Sequence, residues 1–161
     1  MTVINNALSQ DFYLFPDQIV QKHEQFRLCA SANTYGYGAT RQYVGRNPLD
    51  AATLDRFAVT SVDYDEDLEI QIGPVKEWTL FVQALRSVVS GGWDNRVLPI
   101  VVSTRAVVLG GRDVESGTNW DDVLKKFVWR GAFQPADINN MKRDAFKLFI
   151  KKYGAYNHRT K

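Results

Sequence analysis

The pattern of apolar residues changes at Gly73 and Pro74. Before this pair, short apolar runs are separated by polar loops, which is typical of strands. After it, apolar residues recur every three or four positions, which is typical of helices that bury one face. The 161-residue chain is therefore predicted to consist of an α/β piece over residues 1–72, a helical piece over residues 73–153 and a basic tail over residues 154–161.

The first piece is predicted to contain a hairpin and two further strands. A helix end over residues 2–9 precedes the hairpin, whose turn falls at Pro16 and Asp17. Two apolar runs, residues 26–32 and 57–62, are predicted as strands, and Cys29 is expected to be buried in the first of them. Because an open α/β sheet usually has about five strands, we expect part of the sheet to be absent from this chain.

Helices are predicted on both sides of the pattern change. Asp50 is expected to cap a short helix that reaches Arg56, and acidic residues begin a helix over residues 63–72. In the second piece, Ser103 is expected to cap a helix that stops at Gly110 and Gly111. The other predicted helices cover residues 75–90, 120–129 and 136–152.

Composition is that of an ordinary globular protein. The chain is 45% hydrophobic and 24% charged, with a formal net charge of +2. A single cysteine cannot form an internal disulfide, no apolar run approaches the length of a membrane span, and the first residues lack the pattern of a signal peptide. We therefore expect a cytoplasmic protein with no membrane partner.

Several well-known sites are excluded by their spacing. The dipeptide Gly-Lys of a phosphate-binding P-loop occurs nowhere, and Arg41 stands where a dinucleotide fingerprint needs its last glycine. The acidic run that starts at Asp63 opens like a calcium loop, but Leu68 occupies the position of the turn glycine. Both histidines are isolated, so no metal site is predicted.

The stretch SANTYGYGATRQYVGRNPLDAATLDRF, residues 31–57, is dense in features that bind anions. Asn33 follows a predicted strand, and open α/β sheets bind ligands at the carboxyl ends of their strands. Three arginines, Arg41, Arg46 and Arg56, follow within the same stretch. Guanidinium groups at such spacing suit a phosphate or a partner surface.

The run FRLCASANTYGYGATRQYVGRNPLDAATLDRFAV, together with DYDEDLE, resembles the section of AAA+ ATPases from sensor 1 to the arginine finger. It is most similar to the MoxR-like group, and within it to the small ATPase subunits of aerobic cobaltochelatases. The helical piece resembles the AAA+ lid more weakly. The resemblance implies an α/β fold: a partial AAA+ core of the P-loop NTPase type, followed by an all-helical lid.

Four residues of this chain match functional positions of that family. Asn33 matches sensor 1, which helps to position the attacking water, and Arg105 matches sensor 2, which contacts the γ-phosphate of bound ATP. Arg56 in LDRF matches the arginine finger, and Arg46 in VGRN is a second candidate for it. From the residues alone, Arg56 can instead pair with a neighbouring aspartate, Asn33 can cap a turn, and Arg105 can be an ordinary surface residue.

For a complete member of the family, the resemblance implies ATP and Mg²⁺ as cofactors, a ring of AAA+ subunits, and larger chelatase subunits as partners in cobalt insertion into a corrin ring. The Walker A and Walker B elements are absent here, so we expect the chain to begin just after them. Alone, it is expected to bind no cofactor and to hydrolyse no ATP. The alternatives are a non-catalytic piece that assembles with or regulates a full-length AAA+ partner in trans and, less favoured, a nucleic-acid-binding module that uses the Tyr/Arg loop and the basic tail.

Overall fold

A computed structural model describes residues 8–40, 43, 45–91, 98–132 and 134–159. The protein is mostly helical and has one small two-stranded sheet in the described part, a mixed α/β composition. The chain divides into two compact units, Met1–Ser61 and Val62–Lys161. This division falls before Gly73 and Pro74, so the helix Glu66–Ile72 belongs to the second unit. Most of the helix predicted over residues 2–9 lies outside the described residues.

The predicted hairpin near the start of the first unit is confirmed. Strand β1 covers Phe12–Leu14 and strand β2 covers Ile19–Gln21. They pair in antiparallel fashion with Tyr13 opposite Val20, and the chain turns at Pro16 and Asp17 as the sequence indicates. Proline fixes the backbone for such a turn, and aspartate readily follows it.

The strands predicted over residues 26–32 and 57–62 are wrong, because neither run has regular structure. Phe26 and Leu28 are nearly half exposed, and Cys29 is exposed rather than buried. A strand needs neighbouring backbone to hydrogen-bond with and a surface to cover its side chains. In the described part of the chain, β1 and β2 pair only with each other, so these apolar runs have no sheet to join.

The short helix in the first unit, α1, covers Ala51–Leu54 and confirms the predicted cap. Asp50 accepts two hydrogen bonds from Thr53, one from its backbone N–H at 2.9 Å and one from its hydroxyl at 2.6 Å. These bonds stabilise the ionised carboxylate and lower the pKa of Asp50. The helix ends before Arg56, earlier than predicted, and leaves that arginine in the following turn.

The second unit is helical, as predicted. Its elements are α2 (Glu66–Ile72), α3 (Lys76–Ser90), α4 (Thr104–Glu115), α5 (Trp120–Leu124), a π-helical turn that continues α5 (Lys125–Trp129), and α6 (Pro135–Arg159). Asp65 caps α2 and Asn119 caps α5, each by accepting a backbone hydrogen bond from three residues along. No helix in the described ranges is both long enough and apolar enough to cross a membrane.

Helix α3 is the centre of this unit, with α4 and α6 packed against it. Trp78 of α3 is fully buried, and its indole Nε1–H donates a 2.8 Å hydrogen bond to the carbonyl oxygen of Ala106 in α4. Aromatic rings from three helices gather beside it, with Phe81 and Trp120 within 6.3 Å of the indole centroid. Apolar burial of this kind, around one tryptophan, fixes the register of α3 against α4.

Helix α4 continues past the two glycines that were predicted to end it. A Cβ atom on Gly110 would lie 2.9 Å from Cζ2 of Trp78, and one on Gly111 would lie 2.9 Å from Cδ of Pro74. Glycine is therefore present because α3 and the residues before it approach the backbone of α4 closely. The prediction of a helix stop was wrong because close packing, and not a turn, is the reason that residues without a side chain occupy these two positions.

We expect Gly110→Ala to destabilise the protein. The added methyl would lie 2.9 Å from a fully buried, hydrogen-bonded indole, so one of them must shift, and overpacking of this kind costs about 1–3 kcal/mol. That cost outweighs the gain of up to about 1 kcal/mol in helix propensity. Gly154→Ala in α6 is the matched control, because nothing lies within 4 Å of its new Cβ. Urea denaturation should show a lower free energy of unfolding for Gly110→Ala and a higher one for Gly154→Ala. Equal gains would contradict the packing role of Gly110.

Candidate functional site

Asn33 lies in an exposed loop of the first unit. Together with neighbouring residues up to Tyr43, it lines a depression of about 320 Å³. The loop turns at Gly36, whose φ of 85° is in the left-handed region that favours glycine. Its carbonyl oxygen accepts a 2.8 Å hydrogen bond from the backbone N–H of Leu49, and a Cβ there would clash with Leu54 of α1. Asn33 is thus carried by a loop that is closed onto α1.

The depression around Asn33 is lined by both polar and aromatic side chains. The Asn33 amide can both donate and accept a hydrogen bond. Tyr35 is 61% exposed and Tyr37 is 85% exposed. The depression can therefore receive a small polar group, and the two rings can contact whatever carries it.

Arg56 and Arg46 lie in the same unit and differ in their contacts. The Nε–H of Arg56 donates to the hydroxyl oxygen of Ser9 at 3.0 Å, and its Nη1 donates to the carbonyl oxygen of Ala52. The ion pair with a neighbouring aspartate, an alternative that the sequence left open, is not formed. Arg46 is exposed and, in the described ranges, its side chain makes no hydrogen bond or ion pair. Both guanidinium groups can reach an anion outside the unit.

Arg105 lies in the second unit, in the first turn of α4. Its side chain is exposed and makes no ion pair with any residue that the structure describes. Ser103 occupies the predicted N-cap position, yet its side chain makes no capping hydrogen bond. A helix N-terminus and a guanidinium group both favour negative charge, so this position suits an anion.

A buried cluster that the sequence did not reveal lies directly behind Arg105. The Glu69 carboxylate of α2 is 2% exposed and forms a two-point ion pair with Arg86 of α3. Nη2 of Arg86 lies 2.6 Å from Oε1 and Nη1 lies 3.0 Å from Oε2. The hydroxyl of Thr104 donates to Oε1 at 2.7 Å. The signal that could have revealed this pair is Arg86 itself, a cation within the apolar face of α3.

The remaining contacts of the cluster leave no polar group spare. Gln83 donates to Oε2 of Glu69 at 3.3 Å, and Nε of Arg86 donates to the carbonyl oxygen of Val102 at 2.8 Å. The Tyr64 ring stacks over the guanidinium of Arg86, with 3.8 Å between the ring centroid and Cζ of the arginine. Every buried side-chain nitrogen or oxygen of the described residues has a partner. The cluster is therefore a support for the fold, not a place where a ligand can bind.

The predicted site residues suit phosphate oxygens but not Mg²⁺. Asn33, Arg46, Arg56 and Arg105 supply N–H donors and positive charge, whereas Mg²⁺ needs carboxylates or other oxygen ligands. In the part of the chain that the structure describes, no group of three or more His, Cys, Asp or Glu residues is placed to hold a metal ion. A metal therefore has no ligand set among these residues.

No family model matches the chain, and neither a curated protein nor a solved structure is significantly similar to it. The fold and the site define the protein as a mixed α/β chain in which three predicted site residues lie in the first unit and Arg105 in the second. No AAA+ core is identified among the described residues.

Proposed function

We propose that this chain is the sensor 1, arginine-finger and lid portion of a MoxR-like AAA+ ATPase, similar to the small subunit of aerobic cobaltochelatase. In its complete form such a protein couples ATP hydrolysis to cobalt insertion into a corrin ring. The observation that carries the proposal is the exposure of all four residues that the resemblance selects: Asn33, Arg46, Arg56 and Arg105. Groups that act on a nucleotide held elsewhere must be exposed in the free chain.

The chemistry that these residues supply is orientation and positive charge. In phosphoryl transfer, negative charge spreads over the γ-phosphate oxygens in the transition state, and a guanidinium group from a neighbouring subunit stabilises it. Arg56 or Arg46 would supply this charge in trans. Arg105 would contact the same phosphate from the lid, and the amide of Asn33 would orient the attacking water.

A second function, in a different class, is a non-catalytic piece that assembles with or regulates a full-length AAA+ partner. It is favoured by the absence of Gly-Lys from residues 1–161, because these residues contain no P-loop and the nucleotide would be bound elsewhere. In this function the exposed arginines complete or block the sites of the partner. The two functions share a ring interface. They differ in whether the sites on which these arginines act belong to other copies of the same protein or to a separate full-length partner.

Complementation tests the proposal. A complete MoxR-like subunit of the cobaltochelatase type, with its own finger arginine changed to alanine, should lose ATP turnover by a factor of about 10³–10⁵. Adding an excess of this chain should restore turnover, because it brings a guanidinium group to the nucleotide bound in a neighbouring complete subunit. Phosphate release measured against the ratio of the two proteins gives the result.

The controls separate the two functions. This chain alone should release no phosphate with Mg²⁺ and ATP. If it enters the ring, as shown by a shift in sedimentation, but does not restore turnover, it is an assembly piece without a finger. If it neither enters the ring nor changes turnover, the AAA+ proposal is wrong. Binding of single-stranded nucleic acid that weakens steeply with salt would then favour the alternative that uses the exposed tyrosines.

A further inference from the structure

We propose that Glu69 is a positioning residue for Arg105, and that it acts by fastening the first turn of α4 to the core of the second unit. This inference rests on the proposed function for the role of Arg105 but not for the geometry that positions it. Glu69 itself touches no ligand. Its carboxylate is buried and contacts the residue directly before Arg105.

Two hydrogen bonds hold the chain on either side of Ser103. On one side, the carbonyl oxygen of Val102 accepts from Nε of Arg86 at 2.8 Å. On the other, the hydroxyl of Thr104 donates to Glu69 at 2.7 Å. Ser103 makes no side-chain cap. The side-chain support of the start of α4 therefore consists of these two bonds and the indole hydrogen bond to the carbonyl oxygen of Ala106.

The carboxylate that receives Thr104 is itself fixed from several directions. Both of its oxygens pair with the guanidinium of Arg86, and Gln83 donates to one of them. Arg86 and Gln83 both belong to α3, the helix at the centre of the core. Because several partners hold the Glu69 carboxylate, it has few alternative orientations. The position of the Thr104 hydroxyl that donates to it is therefore well defined.

As a consequence, the backbone of Arg105 is held in place while its guanidinium group stays exposed. The backbone at Arg105 is joined to the core through Thr104, while its side chain stays exposed. A guanidinium that must meet a phosphate in one geometry loses less entropy when its backbone is already ordered. Glu69 thus prepares Arg105 for an anion without contacting it.

Amide hydrogen exchange tests this role in the chain as it exists. Thr104→Val keeps the shape of the side chain but removes the hydroxyl that reaches Glu69, whereas Thr104→Ser keeps the hydroxyl. We expect the amide of Ala106, which donates to Ser103 in the first turn, to exchange about tenfold faster in the valine variant, the equivalent of one hydrogen bond to a charged group. The serine variant should exchange at the original rate.

Comparing amides at the two ends of α4 distinguishes a local effect on the first turn from a general loss of stability. The amide of Arg112, in the last turn of the same helix, should be unchanged in both variants. Unchanged exchange at Ala106, or equal acceleration at Ala106 and Arg112, overturns the proposal, as does a serine variant that behaves like the valine one. Thr104→Ala replaces the valine variant if that protein does not fold. The exchange experiment contains no nucleotide and no partner subunit. It can therefore fail while complementation succeeds, and it can succeed while complementation fails.

Discussion

Glu69→Ala is expected to lower the free energy of unfolding of the second unit by about 3–5 kcal/mol, the cost of leaving a buried charge without its partner. The side chain of Arg86 is 8% exposed, so solvent compensates poorly for the carboxylate that its guanidinium loses. Thr104 and Gln83 lose an acceptor at the same time. Urea denaturation followed by tryptophan fluorescence measures the loss.

A double replacement shows whether the cost comes from the broken pair. Glu69→Leu combined with Arg86→Met removes both charges and fills a similar volume, and such exchanges are often neutral or stabilising. We therefore expect the double variant to be more stable than Glu69→Ala. Lys147, whose side chain is 70% exposed, forms an ion pair with Asp144. Lys147→Ala is a surface control whose free energy of unfolding is expected to stay within about 0.5 kcal/mol of the original protein. A loss for Glu69→Ala as small as this control contradicts the buried-pair interpretation.

The elements that the sequence predicted correctly are those that depend on nearby residues. Helix α3 was predicted because Trp78, Val82 and Leu85 recur with the helical period, and all three are buried. The hairpin followed from Pro16 and Asp17, since a turn is determined by the few residues within it. The cap at Asp50 likewise involves a contact over three residues.

The features that the sequence did not predict depend on residues far apart in the chain. Cys29 was placed in a strand that forms only if a sheet is present to pair with it. Gly110 was interpreted as a helix end because its contact with Trp78 cannot be inferred from local pattern. Arg86, a cation within the apolar face of α3, indicates that a buried partner is needed, but the local sequence does not identify that partner as Glu69.

The candidate site shows a similar division. A resemblance selected Asn33, Arg46, Arg56 and Arg105, and their roles remain predictions. The start of α4 beside Arg105 was predicted from Ser103, but the contacts of the residues in the first unit could not be predicted, because they depend on how the loop closes onto α1. The support behind Arg105 was missed for the same reason, since Thr104 reaches Glu69 only once three helices have packed together.

Arg56→Ala is expected to abolish complementation of a finger-deficient AAA+ subunit, with a loss of about 10³-fold or more in ATP turnover. The hydrogen bonds that Nε and Nη1 of Arg56 donate to Ser9 and Ala52 orient its guanidinium group and leave Nη2 without a partner among these contacts. This favours Arg56 over the uncontacted Arg46 as a finger of fixed geometry. Phosphate release by mixtures containing each variant measures the loss. Arg56→Lys is the matched control: it keeps the charge but not the planar two-point donor, so we expect it to recover only a small part of the turnover.

Arg46→Ala distinguishes the second candidate under the same conditions. If Arg56 is the finger, the Arg46 variant should restore turnover nearly as well as the original chain. The opposite pattern, with loss for Arg46→Ala and retention for Arg56→Ala, would assign the finger to Arg46 and make the contacts of Arg56 purely structural. Loss in both variants would mean that two guanidinium groups are needed at the interface, because the charge that develops on the γ-phosphate is spread over three oxygens and one cation stabilises only part of it.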